Sequence, residues 1–556
     1  MKENKKLLNF GSILESKILN TIKNMKHKII LLLVAFFAVK SINAQNTDKT
    51  KPNVLLICID DLRNNLGVYG DEQAITPNID ALAKNGVTFR NHQVQYAVCG
   101  PSRAALATGL MPEETGVIGF KPIRKKLTDV IFLPQHFKNN GYTTAAAGKI
   151  HDPRTVGDPK SKSKDGDDAA SWTIPYLAPK GGHHPKGVAL DFQDLPDEEY
   201  VDGIIRVEGV KLLEQVAKKD APFFMAIGFK KPHEPFIAPK KYWDLYNNTN
   251  FKVAANQNAP IGREDLKTYV PHGKDVKQNM NAETGRINED FQLKLKQGYY
   301  ACTSFVDAQI GLVIEKLEKL GVADNTIIVL WGDHGLFLGE HGRWNKHSNL
   351  EVASSSPLII IDPRNKKAKG ETFSAASTVD IYPTLCELAG LEIPEQPKNA
   401  KKSTGRAIKG RSLVPILNDT NAQVKIGAIT VYRGQRGLGY GYRIKGKYRY
   451  VEWVNKKIGE TFYELYDYEQ DPNETRNLAV TEREAYAPLL HKFSRNIRSF
   501  GEADGCLALL KTKPFELKDK SRILVRDADG DGIPDDKESN KDSNGNGILD
   551  YLDAEK

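Results

Sequence analysis

The sequence predicts an α/β architecture: a large mixed, mostly parallel sheet flanked by helices, then a smaller antiparallel sheet with a helix packed on it. Three observations carry that prediction. Solid apolar runs end abruptly in polar side chains, helical periodicities separate them, and an aromatic–basic alternation takes over after residue 425. A chain of 556 residues exceeds one small domain. Its 40% apolar and 27% charged residues are those of a globular chain, neither disordered nor membrane-spanning in bulk.

Met25 opens a basic stretch, 11 apolar residues run from Ile29 to Val39, and a small residue stands at Ala44. That is the layout of a secretory signal, too short for a membrane span. Residues 1–24 read as an upstream extension, and 1–44 as absent from the mature chain. No cysteine follows the apolar run, so no lipid anchor is expected. The mature protein is expected to be exported, to the periplasm, the cell surface or the medium, without a transmembrane span. Residues 1–44 hold eight lysines and two glutamates, so much of the formal charge of +9 leaves with them. With no arginine-rich arm and no base-stacking array, nucleic acid is not an expected partner.

The first domain is assigned to residues 50–424. "NVLLICIDD" (53–61) is continuously apolar until two carboxylates, as suits a strand covered on both faces. The pattern recurs in "YTTAAAGKIH" (142–151), "APFFMAIGFKKPH" (221–233) and "NTIIVLWGDHG" (325–335). Between them, apolar residues return every three or four positions over 76–86, 199–218 and 291–320, which predicts helices. The polar stretches 155–190 and 391–411 read as long loops near the mouth of a cleft. In the second domain, 425–515, "GAITVYRGQRGLGYGYRIKGKYRYVEW" has the alternation of a half-exposed antiparallel hairpin, and 483–500 that of a covering helix.

The tail, 525–556, places Asp527, Asp529, Asp531, Asp535 and Glu538 at positions 1, 3, 5, 9 and 12 of a loop, with Gly532 at the sharp turn. Asp542, Asn544, Asn546, Asp550 and Asp553 repeat it around Gly547. Hard cations take six to eight oxygens, and this spacing wraps a chain around one. No flanking helices are evident. The tail resembles thrombospondin type 3 or dockerin-like repeats, which implies structural calcium and no catalysis.

The strand ends gather Asp60, Asp61 and Asp333 at one rim, where open α/β sheets collect ligands. Like charges that close need a counter-ion. An oxygen-rich set with His334 and no cysteine cluster leans to calcium or magnesium over zinc. Around it stand Arg103, Lys149, Lys346, His151 and His233. A metal with cationic side chains steadies negative charge on a tetrahedral oxyanion group, and a histidine can protonate a leaving alcohol. The expected chemistry is hydrolysis of a sulfate or phosphate ester, and these residues alone leave the choice between the two open.

"CGPSRAALATG", from Cys99, resembles the sulfatase signature Cys-x-Pro-Ser-Arg. The resemblance continues through "NVLLICIDDLRNNLGVYG", "TPNIDALAKNGVTF", "GKIH", "KKPHEPF", "WGDHGLFLGEHGRWNKHSN", "STVDIYPTLCELAG" and "ELYDYEQDPNETRNLA". It is nearest in detail to the iduronate-2-sulfatase branch. It implies an alkaline-phosphatase-like sandwich and a Cys99 converted to 3-oxoalanine (formylglycine) by a formylglycine-generating or anaerobic sulfatase-maturating enzyme. It also implies a calcium ion on Asp60, Asp61, Asp333, His334 and modified Cys99. In the family, the hydrated aldehyde attacks sulfur, the alcohol leaves, and the second hydroxyl expels sulfate. On that pattern Arg103 steadies the diol, His151 bonds or deprotonates it, and Lys149 holds diol and sulfate. His233 and Lys346 grip the ester, with His233 favoured as acid, and Asp333 could also take the attacking proton. Pro101 and Ser102 serve recognition and turn geometry.

Lys230 departs from the branch, where a histidine is common, so the sugar is less determined than the sulfate chemistry. His183, His184, His341 and His347 are unassigned: local structure is the first reading of each, and contact with substrate from the rim the second. Cys58, Cys302 and Cys386 read as buried small hydrophobes, Cys506 is unassigned, and no disulfide is expected. The implied substrate is a sulfated polysaccharide or its oligosaccharides, with an algal uronate- or rhamnose-containing glycan such as ulvan ahead of host glycosaminoglycans. Two alternatives stand beside this: a phosphate or phosphonate monoester hydrolase of the same superfamily, and a non-catalytic, calcium-dependent polysaccharide-binding surface protein.

Overall fold

The computed structural model describes residues 51–156, 168–396, 407–444, 446–455, 460–501 and 508–517. The leader, Cys506 and both acidic repeats of the tail lie outside the described residues. Seven strands form the large sheet: β1 (Asn53–Asp60), β2 (Val87–Gln93), β3 (Thr143–Gly148), β4 (Phe223–Pro232), β5 (Thr326–Gly332), β6 (Leu358–Ile361) and β7 (Gly370–Ser377). Their spatial order is β3–β4–β1–β5–β6–β2–β7. Every neighbouring pair is parallel except those of β6, which runs antiparallel to β5 and β2.

The helices that matter to the site are α1 (Pro77–Ala83), α2 (Cys99–Thr108), α3 (Leu133–Asn139), α4 (Val201–Ala217), α5 (Glu289–Lys319), α6 (Ile381–Leu388) and α7 (Arg483–Gly501). Successive side chains of β1 serve opposite faces of the sheet. Val54, Leu56 and Cys58 pack with Phe137 of α3 and Leu385 of α6. Leu55, Ile57 and Ile59 pack with Leu213 of α4 and Ile310 of α5. Burying each large aliphatic side chain contributes roughly 1.5–3 kcal/mol. The strands are therefore held by both layers, and their ends can carry charge. The long α5 starts cleanly because the Asn288 side chain accepts a hydrogen bond from the Phe291 N–H, with Glu289 and Asp290 in its first turn.

Strands β2, β6 and β7 were not expected from the sequence. β2 reads "VTFRNHQ" and buries polar groups where an apolar run would be the signal. Its polar groups find partners: His92 Nδ1 lies 2.9 Å from the Ser356 carbonyl, and Gln93 accepts from Arg449 at 2.8 Å. The pattern test for strands fails where hydrogen bonds replace hydrophobic burial.

The second sheet is antiparallel, β8 (Gly427–Gly434), β9 (Gly437–Ile444), β10 (Tyr448–Asn455) and β11 (Glu460–Asp467) in sequential order. Leu490, Phe493 and Ile497 of α7 cover it, in a cluster that also takes Tyr96, Val98 and Met111. Val431 N–H donates to the Gln95 carbonyl at 2.8 Å, and Thr430 Oγ1 to the Val94 carbonyl at 2.7 Å. The second sheet thus buttresses the segment leading into Cys99.

Of the two long loops, the first behaves as expected: Tyr176, His184 and Lys186 line a large cavity. Of the second, only 391–396 and 407–411 are among the described residues. Gln396 donates to the Thr108 and Ile131 carbonyls, so the described part of 391–411 sits at the C-terminal end of α2, the end opposite Cys99. Of its basic residues, Lys409 donates its N–H to the Gly109 carbonyl at 2.8 Å and Arg411 donates to the Val424 carbonyl at 2.8 Å, while 397–406 lie outside the described residues. Among the described residues no helix is long and apolar enough to cross a membrane.

One backbone position ties fold to site. Gly148 ends β3 at φ 84°, and a Cβ there would lie 2.1 Å from the Gly228 carbonyl oxygen. An L-residue is strained at that φ, and the obstruction is backbone. Gly148→Ala is expected to cost several kcal/mol (about 3 or more), read as a lowered Tm, and to displace Lys149 next to it.

Candidate active site

The sheet brings the tips of β1, β3, β4 and β5 to one edge. β1 ends in Asp60, and Asp61 then turns the chain at φ 61°, a left-handed conformation uncommon for a residue with a Cβ. The turn is clamped on both sides: Asp61 N–H donates to Asp333 Oδ1 at 3.0 Å, and its carbonyl accepts from Tyr299 Oη at 2.9 Å. Asp333 and His334 follow β5. Cys99 is the first residue of α2 and is buried. Two hydrogen bonds draw that helix to β5: Ser102 Oγ donates to the Asp333 carbonyl at 2.5 Å, and Arg103 Nε donates to Asp333 Oδ2 at 2.8 Å. Ser102, read from the sequence as a turn residue, is a brace between helix and strand.

Donor atoms of Asp60, Cys99, Asp333 and His334 all lie within 4.8 Å of one another, as do those of Asp60, Asp61, Cys99 and His233. Cys99 Sγ lies 3.2 Å from His334 Nε2 and 3.9 Å from Asp61 Oδ1. Three buried carboxylates face three cations. Lys149 Nζ donates to Asp60 at 2.5 Å, Lys346 Nζ to both Asp61 oxygens at 2.7 Å, and Arg103 bridges Asp333 and Asp60, the latter at 3.4 Å. Burial alone would raise the carboxyl pKa values. Lys149 first, then His233 and Arg103, nevertheless hold Asp60 well below the usual carboxylate range. Asp61 is held at about 2 against its burial, by His233, Lys346 and His334. The protein's own cations balance the carboxylates, so a divalent ion added to them leaves net positive charge for an anionic ester.

The Cys99 thiol is pushed well above its ordinary value by burial and by Asp60, against Lys149 and Lys346. It is therefore protonated at neutral pH and a poor thiolate nucleophile. Sγ marks where a side-chain oxygen would sit after conversion of the thiol.

His233 follows β4. Its Nδ1 lies 2.6 Å from the Glu234 carbonyl, which leaves Nε2 toward Asp61 at 3.9 Å. Burial pulls it down to about 4, as it does His151. His151 is buried against Phe132 and Trp172, and its Nε2 has no hydrogen-bond partner among the described residues. It lines, with Lys149, a cavity of about 800 Å³ whose wall carries Lys180, Lys186, Lys230 and His184. A second cavity, of about 210 Å³, holds Cys99, Asp61, His233, Lys346 and His347, and shares Arg154, His233 and Glu234 with the first.

The comparisons with known proteins fit this geometry. The sulfatase family profile matches residues 52–391. The chain belongs to the sulfatase family. A second profile, for the C-terminal part of N-sulphoglucosamine sulphohydrolase, matches residues 339–502 of this sulfatase. The iduronate 2-sulfatase of Mus musculus is 34% identical over 411 residues, 66% of this chain and 73% of that one. A sulfatase of Formosa agariphila is 33% identical over 494 residues, 82% of this chain and 89% of that one. A solved structure of BT4656 with its substrate D-glucosamine-2-N,6-O-disulfate has the same fold, with TM-score 0.63 and 23% identity over 84% of this chain and 100% of that one. This sulfatase is a hydrolase of sulfated substrates, and its buried Asp/Cys/His cluster is of the metal-binding, formylglycine type.

Of the unassigned histidines, His183 pairs with Asp191 at 2.5 Å and His341 with the Asn258 carbonyl at 3.1 Å, as local structure predicts. His184 and His347 instead face the cavities. Cys58, Cys302 and Cys386 are buried free thiols. Arg154, Glu234, Tyr269 and His272 also line the smaller cavity and had no signal in the sequence. Arg154 lies 3.4 Å over the Phe120 ring, a contact that only the folded loops create.

Proposed function

We propose that this sulfatase hydrolyses a sulfate ester on a uronic-acid-containing polysaccharide or its oligosaccharides, with Cys99 matured to formylglycine beside a calcium ion. The observation that carries the reading is the position of Cys99 Sγ within 4.8 Å of the Asp60, Asp333 and His334 donor atoms, in a small cavity that shares Arg154, His233 and Glu234 with the lysine-walled one. Asp60, Asp61, Asp333 and His334 would hold the ion with modified Cys99; three carboxylates suit a hard cation. The ion supplies positive charge to the nucleophile and the sulfate oxygens. The aldehyde supplies a hydrated nucleophile whose second hydroxyl can expel sulfate.

The chain's own residues do the rest. Arg103 fixes the Asp60 and Asp333 carboxylates. Lys149 and Lys346 hold sulfate oxygens, exchanging their carboxylate partners for the ester as it enters. His151 Nε2, without a hydrogen-bond partner among the described residues, takes the proton of the nucleophile's hydroxyl. The Nδ1–H of His233 is directed at the Glu234 carbonyl; with the anionic ester bound beside it the charged ring is favoured, and its Nε2 then gives the second proton to the departing oxygen. Asp333 is a further acceptor for the attacking proton. A leaving oxygen that departs poorly needs that acid most. His233→Ala is therefore expected to lower kcat by about 10²-fold or more on a sugar sulfate, and much less on 4-nitrophenyl sulfate. Equal losses on both would remove His233 from the acid role.

The substrate class draws on the likeness to iduronate 2-sulfatase, which marks a uronic acid, and on a cavity wall whose lysines suit carboxylates and further sulfates. Ulvan comes first among candidates, the chain exported, a sulfatase-maturating enzyme its partner in the cell, and the tail a calcium-binding appendage outside the chemistry. Desulfation of ulvan, carrageenan, fucoidan, heparin and chondroitin fragments, with an aryl phosphate as control, tests this. Activity confined to glycosaminoglycans defeats the algal assignment, and faster phosphate than sulfate release defeats the sulfate assignment.

A further inference from the structure

A third cavity, of about 260 Å³, lies where the loop 263–269 and the stretch 343–348 meet the second sheet at Tyr432 and Trp453. It shares Tyr269 and His347 with the cavity that holds Cys99. It shares no lining residue with the lysine-walled cavity, so the two adjoin the Cys99 cavity through different residues.

Arg343 lines this third cavity and is only 7% exposed. Its Nη1 donates to the Lys267 carbonyl and its Nη2 to the His347 carbonyl at 3.4 Å, while its Nε is buried with no hydrogen-bond partner. Its flat face lies 5.6 Å from the Phe337 ring centroid. Among the described residues no carboxylate stands within ion-pair distance of it. The carboxylate that does line the cavity, Asp265, is taken by Arg263 at 3.2 Å and Arg436 at 2.7 Å. Arg263 in turn pairs with the buried Glu464.

An uncompensated buried cation is costly, and proteins normally pair it. Each of the other buried arginines among the described residues, Arg103, Arg263, Arg443 and Arg449, has a carboxylate partner. Arg343 differs, and it differs in a cavity open to the cleft. No counter-charge for it stands among the described residues.

Resting on the sulfatase reading above, we propose that Arg343 is an anion-binding residue of a second saccharide subsite, taking the carboxylate or sulfate of the sugar next to the one that is desulfated. Tyr432 and Trp453 give that sugar an aromatic wall, and exposed Lys267 stands at the rim. With two cavities adjoining that of Cys99 through different residues, the cleft admits more than one sugar, so the sulfate removed is borne by a sugar with a neighbour, not only by a free monosaccharide.

The test uses the full matured chain, wild type and Arg343→Met, and three probes: rhamnose 3-sulfate linked to glucuronate, to glucose 6-sulfate, and to glucose. A hydrogen bond to a charged group makes the expected preference of the wild type for the charged probes about tenfold or more in kcat/KM. In Arg343→Met that preference collapses to about twofold or less. The arm that loses more identifies carboxylate or sulfate as occupant. An undiminished preference overturns the subsite, and so does a parallel loss on all three probes and on 4-nitrophenyl sulfate, which is what a structural role gives. A binding measurement covers an enzyme that turns over none of the three. Cys99→Ala, alone and with Arg343→Met, is titrated with the glucuronate disaccharide while tryptophan fluorescence is followed. Equal affinity of the two overturns the subsite whatever the reaction. Absence of sulfate release from every substrate, with a difference in affinity, overturns the sulfatase reading and leaves the subsite standing.

Discussion

Arg103→Ala is expected to release no measurable sulfate and to unfold at a markedly lower temperature than the wild type. Arg103 is buried, bridges Asp333 and Asp60, and also donates to the Lys149 and Ile150 carbonyls. Removing one partner of a buried ion pair leaves the other charge uncompensated, which costs about 3–5 kcal/mol. Here two carboxylates lose their guanidinium together, and the strand end that carries Lys149 loses its anchor. A divalent ion on those carboxylates offsets part of the loss. The fall in Tm is therefore expected to be larger in chelator than in calcium, and the variant's Tm to depend more on calcium than the wild type's does. Thermal unfolding in the two buffers checks both the size and the sign. A variant as stable as the wild type in chelator would mean that the carboxylates are not charged in the folded protein.

The second large effect is at the nucleophile. Cys99→Ala is expected to lower sulfate release by at least about 10⁴-fold, the scale on which removal of a covalent nucleophile acts. The same substitution should leave the fold intact. Cys99 contributes one buried sulfur at the start of α2, and the helix is held by Ser102 and Arg103. Unchanged circular dichroism with activity lost separates this outcome from that of Arg103→Ala. A serine at 99 also fails to turn over, since a single hydroxyl can attack sulfur but has no second hydroxyl to expel the sulfate.

The contrast between these two variants reflects what could be read from the chain. Asp60, Lys149, His233 and Asp333 were legible because each ends an apolar run, and such runs are strands buried on both faces. Parallel strands put those ends on one edge, so linear pattern became spatial cluster without further information. The second sheet and α7 were legible from alternation and periodicity. β2 was not, since its buried Asn91, His92 and Gln93 carry the polarity of a loop. Arg343 immediately precedes Trp344–Asn345 in a motif that resemblance covers, yet nothing in the string distinguishes it from paired Arg449. What sets it apart is the missing carboxylate, a property of the neighbourhood in space. Arg154 and Tyr269 likewise reach the smaller cavity from loops whose paths no local pattern specifies.

The reading of the site depends on the pocket making a protonated thiol useless and a converted one effective. That is measured most directly by preparing the protein with graded extents of maturation, quantifying the Cys99 peptide as thiol or aldehyde by mass spectrometry, and assaying sulfate release from each preparation. The account predicts that turnover rises in proportion to the aldehyde fraction and extrapolates to zero for the unconverted protein. Substantial turnover by protein whose Cys99 is entirely thiol would contradict it.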